Sequence, residues 1–364
     1  MKLEVEAALV DSRLVPGNVE IVDGRITAYG LRGPNGRGIA APGFVDVQVN
    51  GFGGVDFLEA GADGYRRAGE ALLETGVTSF LPTLITAPED DLVAALAEVP
   101  CVADGGPKIV GVHLEGPFLA ERRLGMHRPA GRRDPDTALL ERLLDAGPVR
   151  MMTLAPELPG ALELIEVLVA RGVTVSCGHS DATAEEANAA FDRGARMVTH
   201  LFNAMRPFSH RDPGIAGAAL ARDDVVVGII LDGIHLAPAT VAVIWRAAAG
   251  RVALITDAVA ASSVAGGSYS LGGVTLHVQD GAVRAPEGML AGSLLTMIEA
   301  VRNLHTLGVP IEDALAAAST VPARALGLAD AGRLDVGLPA DIVVLDDNLD
   351  VERVVVGGET RVVV

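Results

Sequence analysis

Short apolar runs rich in β-branched residues recur along the chain from Phe44 onward, and most are followed by a stretch with helical spacing of apolar positions. Eight runs stand out: Phe44 to Val49, Val77 to Leu81, Ile109 to Leu114, Arg150 to Leu154, Val173 to Ser176, Arg196 to Thr199, Val225 to Leu231 and Val252 to Ile255. Eight strands alternating with helices predict an α/β protein built as a (β/α)8 TIM-type barrel. The clearest repeat is Val173 to Met205, which reads as one βαβ unit; Thr183 and Glu186 have capping-box spacing ahead of its alanine-rich helix.

Parallel strands end on one common face. The polar residues that close the eight runs therefore become candidates for a shared site: Gln48 and Asn50, Thr83, Glu115, Glu157, His179, His200, Asp232 and Asp257. The flanks have a different texture. Residues 3–40 alternate polar and apolar positions between turns at Pro16-Gly17-Asn18 and Asp23-Gly24, and strand patterns return at Asp341 to Leu345, Glu352 to Val356 and Thr360 to Val364. A small β-sandwich domain built from both chain ends is expected, residues 1–41 with 331–364, beside a catalytic barrel over 42–330. Within the barrel segment, Ser262 to Glu287 resembles a hairpin insertion, and helical patterns resume at Ser293 to Leu307 and Ile311 to Ala318.

Composition narrows the function. With 364 residues, 49% of them hydrophobic, the chain can bury a large core. A formal charge of −18 argues against nucleic acid and anionic membrane as partners, and an anionic substrate then needs a local basic pocket. Cys101 and Cys177 lack metal or redox spacing, no signal-peptide pattern opens the sequence and no apolar run reaches membrane length, so a cytoplasmic protein is expected. Lys2 and Lys108 are the only lysines, and Lys108 precedes its strand, at the wrong end of a barrel for catalysis. This excludes a Schiff-base aldolase and a metal pair bridged by a modified lysine.

Glu115, His179 and His200 supply a carboxylate and two imidazoles from strands three, five and six, the three protein ligands of a hydrolytic zinc site with one position open for water. Each alone reads as a satisfied structural residue; their joint placement favours metal. His113 lies on the same strand face as Glu115 and is expected to support or pack rather than to ligate. Asp257, after the eighth run, is either a helix N-cap or, beside such a triad, the group that takes and returns a proton.

The segments Ala41-Pro-Gly-Phe-Val-Asp46, Gly111-Val-His-Leu-Glu-Gly-Pro-Phe118, Gly178-His-Ser180, Thr199-His-Leu-Phe-Asn-Ala-Met205, Asp232-Gly-Ile-His235, Thr256-Asp257 and Leu290-Ala-Gly-Ser293 together resemble the N-acetylglucosamine-6-phosphate deacetylases of the amidohydrolase superfamily. The resemblance is collinear over almost the whole chain. It implies a metal-dependent barrel with a split β domain, a homodimer, and release of acetate from a sugar phosphate. It further implies that Glu115, His179 and His200 hold metal and that Asp257 is the acid/base. Around substrate it places Met126, His127, Asn203, Ala204, Arg211, Asp232, Gly233, Ile234, His235, Leu290, Ala291 and Gly292, with Arg211 shared across the dimer interface.

The first strand departs from the wider superfamily pattern. Where His-x-His usually holds a second metal, this chain has Gln48-Val49-Asn50, and amides are poor zinc ligands beside imidazole and carboxylate. One divalent ion per subunit is expected, zinc first and Fe2+ as another candidate. The galactosamine epimer is the closest alternative substrate, and a metal-free dimeric scaffold on the same fold is the alternative of a different class.

Overall fold

The computed structural model describes residues 1–32, 36–101, 105–264, 268–286 and 288–363. Parts of the expected insertion (265–267 and 287) and Val364 of the expected last strand lie outside the described residues. Eight parallel strands form the barrel: β1 (Phe44–Val49), β2 (Val77–Ile85), β3 (Val112–Glu115), β4 (Val149–Leu154), β5 (Thr174–Cys177), β6 (Met197–Val198), β7 (Val226–Ile229) and β8 (Val252–Leu254). Each pairs in parallel with the next. The ring approaches closure through a parallel bridge between Val49 and Ala258 and a hydrogen bond from Asp257 N to Gln48 O at 2.9 Å. All residues of β1 and β2 are buried, as expected of strands covered on both faces, which is why these runs do not alternate.

The elements start where the sequence places their signals. Thr183 and Glu186 form a reciprocal capping box on Ala184–Asp192, and Thr296 with Glu299 does the same on Met297–Thr306. Some bounds differ from the expectation. The third run breaks: Lys108–Ile109 pairs with β2, and β3 proper begins at Val112. The sixth run yields only two strand residues, Met197 and Val198, because the chain turns immediately into the bends that carry His200.

Strands from both chain ends share one six-stranded sheet: Ala7–Val10, Arg13–Pro16 and Ile39–Pro42 with Ile342–Leu345, Val351–Val356 and Glu359–Val363. The hairpin Asn18–Val22 and Arg25–Leu31 packs against it, and Val19, Ile21, Ile26, Ile342, Val344 and Val355 form an apolar core separate from the barrel's. Lys108 Nζ reaches Asp341 Oδ2 at 2.6 Å, so this lysine ties the sheet to the barrel far from the strand ends. Residues 268–284 form a three-stranded antiparallel sheet, Ser268–Leu271, Val274–Gln279 and Ala282–Arg284, in place of a simple hairpin.

Candidate active site

Glu115, His179 and His200 converge at the carboxyl ends of β3, β5 and β6. Glu115 Oε1 lies 3.2 Å from His179 Nε2 and 3.1 Å from His200 Nε2, and the two imidazole nitrogens are 3.0 Å apart. All three side chains are buried. His179 Nδ1 stands 2.8 Å from the carbonyl oxygen of Arg123, which can only accept, so Nδ1 carries the proton and the Nε2 lone pair points at Glu115. Glu115 Oε1 and His179 Nε2 bring lone pairs this close to each other and to His200 Nε2, an arrangement that a cation between the three atoms would satisfy. Ligand atoms about 2.0–2.1 Å from a tetrahedral zinc ion would be spaced roughly 3.3 Å apart, close to the observed triangle. The donor set therefore fits one divalent ion with borderline preferences.

Backbone strain concentrates at this point. His179 (φ +48°), His200 (φ +28°) and Asp257 (φ +49°) all adopt the left-handed region that residues with a Cβ avoid. Two glycines make the crowding possible: a Cβ on Gly178 would come within 2.9 Å of Thr199 Cβ, and one on Gly292 would come within 2.7 Å of the carbonyl oxygen of Asp257.

Asp257 does not cap a helix. Its Oδ1 accepts hydrogen bonds from Asn50 Nδ2 at 2.7 Å and Gln48 Nε2 at 3.0 Å, and the same Gln48 nitrogen donates to Glu115 Oε1 at 3.0 Å. The two amides, Gln48 on β1 and Asn50 just past it, thus hold the carboxylates with donors, a use that residue types alone did not disclose. Burial, then the charge of Glu115, pushes Asp257 up to about 6. Burial also opposes the Glu115 charge, but the imidazoles of His127, His179 and His200 crowded against it hold that carboxyl well below its usual range.

His113 sits one layer beneath, between Thr83 Oγ1 at 3.2 Å and Thr153 Oγ1 at 2.8 Å, in a buried polar chain that continues to Thr199 and Ser176. Burial lowers its pKa to about 4, so it is neutral and supports the strands. Asp232 accepts from His235 Nδ1 at 2.7 Å and from the backbone of Ile234 and His235. It therefore orients His235 rather than facing the pocket.

A pocket of about 380 Å3 opens over the triad, and of the residues expected around substrate, Met126, His127, Asn203, Ala204, His235, Leu290 and Gly292 line it. Ala291 is buried behind the wall, and Gly233 and Ile234 stand outside, with Ile234 exposed. Arg211 is exposed and not in the pocket of its own chain; the loop that carries it ends where a helix begins at Gly214. Two arginines absent from the expected set, Arg122 and Arg123, line the pocket. No periodicity marks them, because they lie on a 3-10 turn, Glu121–Arg123, between strands.

The model of the amidohydrolase family matches residues 39–361. N-acetylglucosamine-6-phosphate deacetylase of Mus musculus is 43% identical over 344 residues, 89% of this chain and 83% of its own. A solved structure of a mutant N-acetyl-D-glucosamine-6-phosphate deacetylase from Mycobacterium smegmatis, in complex with N-acetyl-D-glucosamine-6-phosphate, is 39% identical. It superposes with a TM-score of 0.93 over 98% of both chains. An Escherichia coli N-acetylgalactosamine-6-phosphate deacetylase is 37% identical over 88% of this chain and 87% of its own.

Proposed function

The chain belongs to the amidohydrolase family, within it to the N-acetylglucosamine-6-phosphate deacetylases, and on that premise we propose that it hydrolyses N-acetylglucosamine 6-phosphate to glucosamine 6-phosphate and acetate. The carrying observation is the convergence of Glu115, His179 and His200 beside Asp257 at the floor of one pocket. Glu115, His179 and His200 hold one divalent ion per subunit, zinc by the character of the donors and Fe2+ as the other candidate. Bound there, the ion acts as a Lewis acid that acidifies water and polarises the acetyl carbonyl.

This chain's own residues do the proton work. Gln48 and Asn50 occupy Oδ1 of Asp257, and among the described residues no hydrogen bond reaches Oδ2. Oδ2 takes a proton from the attacking water and returns it to the sugar nitrogen as the C–N bond breaks, leaving amine and acetate. His127 is held by Thr86 Oγ1 at 2.9 Å through Nδ1, with Nε2 3.7 Å from Glu115 Oε2, and His235 by Asp232, which leaves His235 Nε2 for the acetyl oxygen or a sugar hydroxyl. Asn203 and Ala204, which line the pocket, bind the phosphate together with Arg211 of a second subunit in a homodimer. A cytoplasmic setting suits a sugar phosphate and two free thiols. Among the described residues no helix is long and apolar enough to cross a membrane.

The test is acetate release from N-acetylglucosamine 6-phosphate and its galacto epimer, after chelation and re-addition of a single metal. The gluco epimer should have the higher kcat/KM. Faster turnover of the galacto epimer would reassign the substrate, and no release from either would return the chain to the scaffold reading.

A further inference from the structure

The tripeptide His179-Ser180-Asp181 is gripped at almost every polar atom. His179 O accepts from Ala120 N at 2.9 Å, Ser180 N donates to Ala204 O at 3.2 Å and Ser180 O accepts from Arg206 N at 2.9 Å. Asp181 Oδ1 accepts from the Arg123 guanidinium, whose own carbonyl fixes His179 Nδ1. Arg206 Nη1 donates to Asp181 O at 3.2 Å, and Glu157, just past β4, takes two further groups that join Ser180 to Asp181. Its Oε2 accepts from Ser180 Oγ at 2.8 Å and its Oε1 from Asp181 N at 2.5 Å. Glu157 is half-buried and does not line the pocket.

His179 needs such a clamp. Its left-handed backbone is disfavoured for a residue with a Cβ, and it persists only where neighbours over-determine it. Relaxation of the following two residues would rotate the imidazole away from Glu115 and His200. We propose that Glu157 is a positioning residue for metal binding: by holding Ser180 Oγ and Asp181 N it locks His179 in the conformation that aims Nε2 at the ion. The proposal rests on the reading of Glu115, His179 and His200 as the metal site.

The experiment measures the metal dissociation constant of purified protein by chelator competition, with thermal stability and the visible spectrum of the cobalt-substituted protein recorded alongside. The unmodified protein is measured first; failure to bind an ion there would overturn the metal reading itself. Glu157→Ala should weaken metal binding by about 10–100-fold, the usual cost of losing a group that orients a ligand, and should alter the cobalt bands. Glu157→Gln, whose amide can accept from Asp181 N and donate to Ser180 Oγ, should restore affinity to within about threefold. Metal affinity unchanged in Glu157→Ala, or a Gln variant as weak as Ala, would overturn the proposal and leave the metal site standing. Should Glu157→Ala fail to fold, Ser180→Ala reads the same contact: a loss of about threefold or more supports the clamp, and unchanged affinity contradicts it.

Discussion

Asn50 Nδ2 donates to Asp257 Oδ1 at 2.7 Å, joining the ends of the first strand and of the segment after the eighth at the point where the barrel closes. A hydrogen bond to a charged group is worth about 1.5–3 kcal/mol. Asn50→Leu frees the Asp257 carboxylate to rotate while leaving Glu115, His179 and His200 in place. The expected result is a fall in kcat of roughly 10–100-fold at unchanged metal content, read by steady-state kinetics together with elemental analysis.

Asp257→Asn keeps the shape and the Oδ1 acceptor but cannot take a proton. Turnover should fall by roughly 10²–10⁴-fold with fold and metal content retained. Near-normal turnover in a metal-loaded Asn variant would leave Asp257 with a structural part only.

Most of the fold is legible in the sequence because a parallel barrel writes itself as repeated apolar runs: the eight runs all overlap the eight barrel strands, and the capping box at Thr183 and Glu186 is where its spacing puts it. The triad is legible for the same reason, as each of its members follows a run. The roles of Gln48, Asn50, Glu157 and Arg123 were not. Each depends on a contact across the barrel mouth, between residues as far apart as Asn50 and Asp257, and a single sequence carries no signal of that pairing. Bounds failed where tertiary contacts override local pattern, as at the break between Ile109 and Val112.

Asp46 offers a test of the barrel's buried polar layer. It is fully buried, accepting from Thr256 Oγ1 at 2.6 Å, and burial outweighs its hydrogen bonds to raise its pKa to about 7. A carboxyl that holds its proton more tightly folded than unfolded stabilises the fold less as pH rises from about 4 to 7, because the unfolded chain gives up the proton first. The unmodified protein should lose on the order of 2–4 kcal/mol through this group between pH 4 and 8. In Asp46→Asn that part of the pH dependence should vanish, so the Tm difference between pH 5 and pH 8 should shrink; an unchanged difference would mean that Asp46 ionises normally in the fold.

Arg211 stands outside its own pocket, and the loop that carries it is anchored by Arg206 to Asp212, with Arg206 Nε at 2.8 Å from Oδ2. If it reaches the neighbouring subunit, Arg211→Ala should raise KM for the phosphorylated substrate far more than for the unphosphorylated acetamido sugar. Mixing Arg211→Ala with Asp257→Asn chains should then restore activity, since one site of the mixed dimer is intact. Proven exchange without recovery would place Arg211 outside the shared site.

The proposed hydrolase holds one metal at Glu115, His179 and His200, with the amides of Gln48 and Asn50 where a second would sit. Titrating the chelated protein with zinc while following acetate release from N-acetylglucosamine 6-phosphate tests it most directly. Activity should rise linearly and stop at one equivalent per chain; a plateau at two equivalents, or full activity without added metal in the continued presence of chelator, would contradict it.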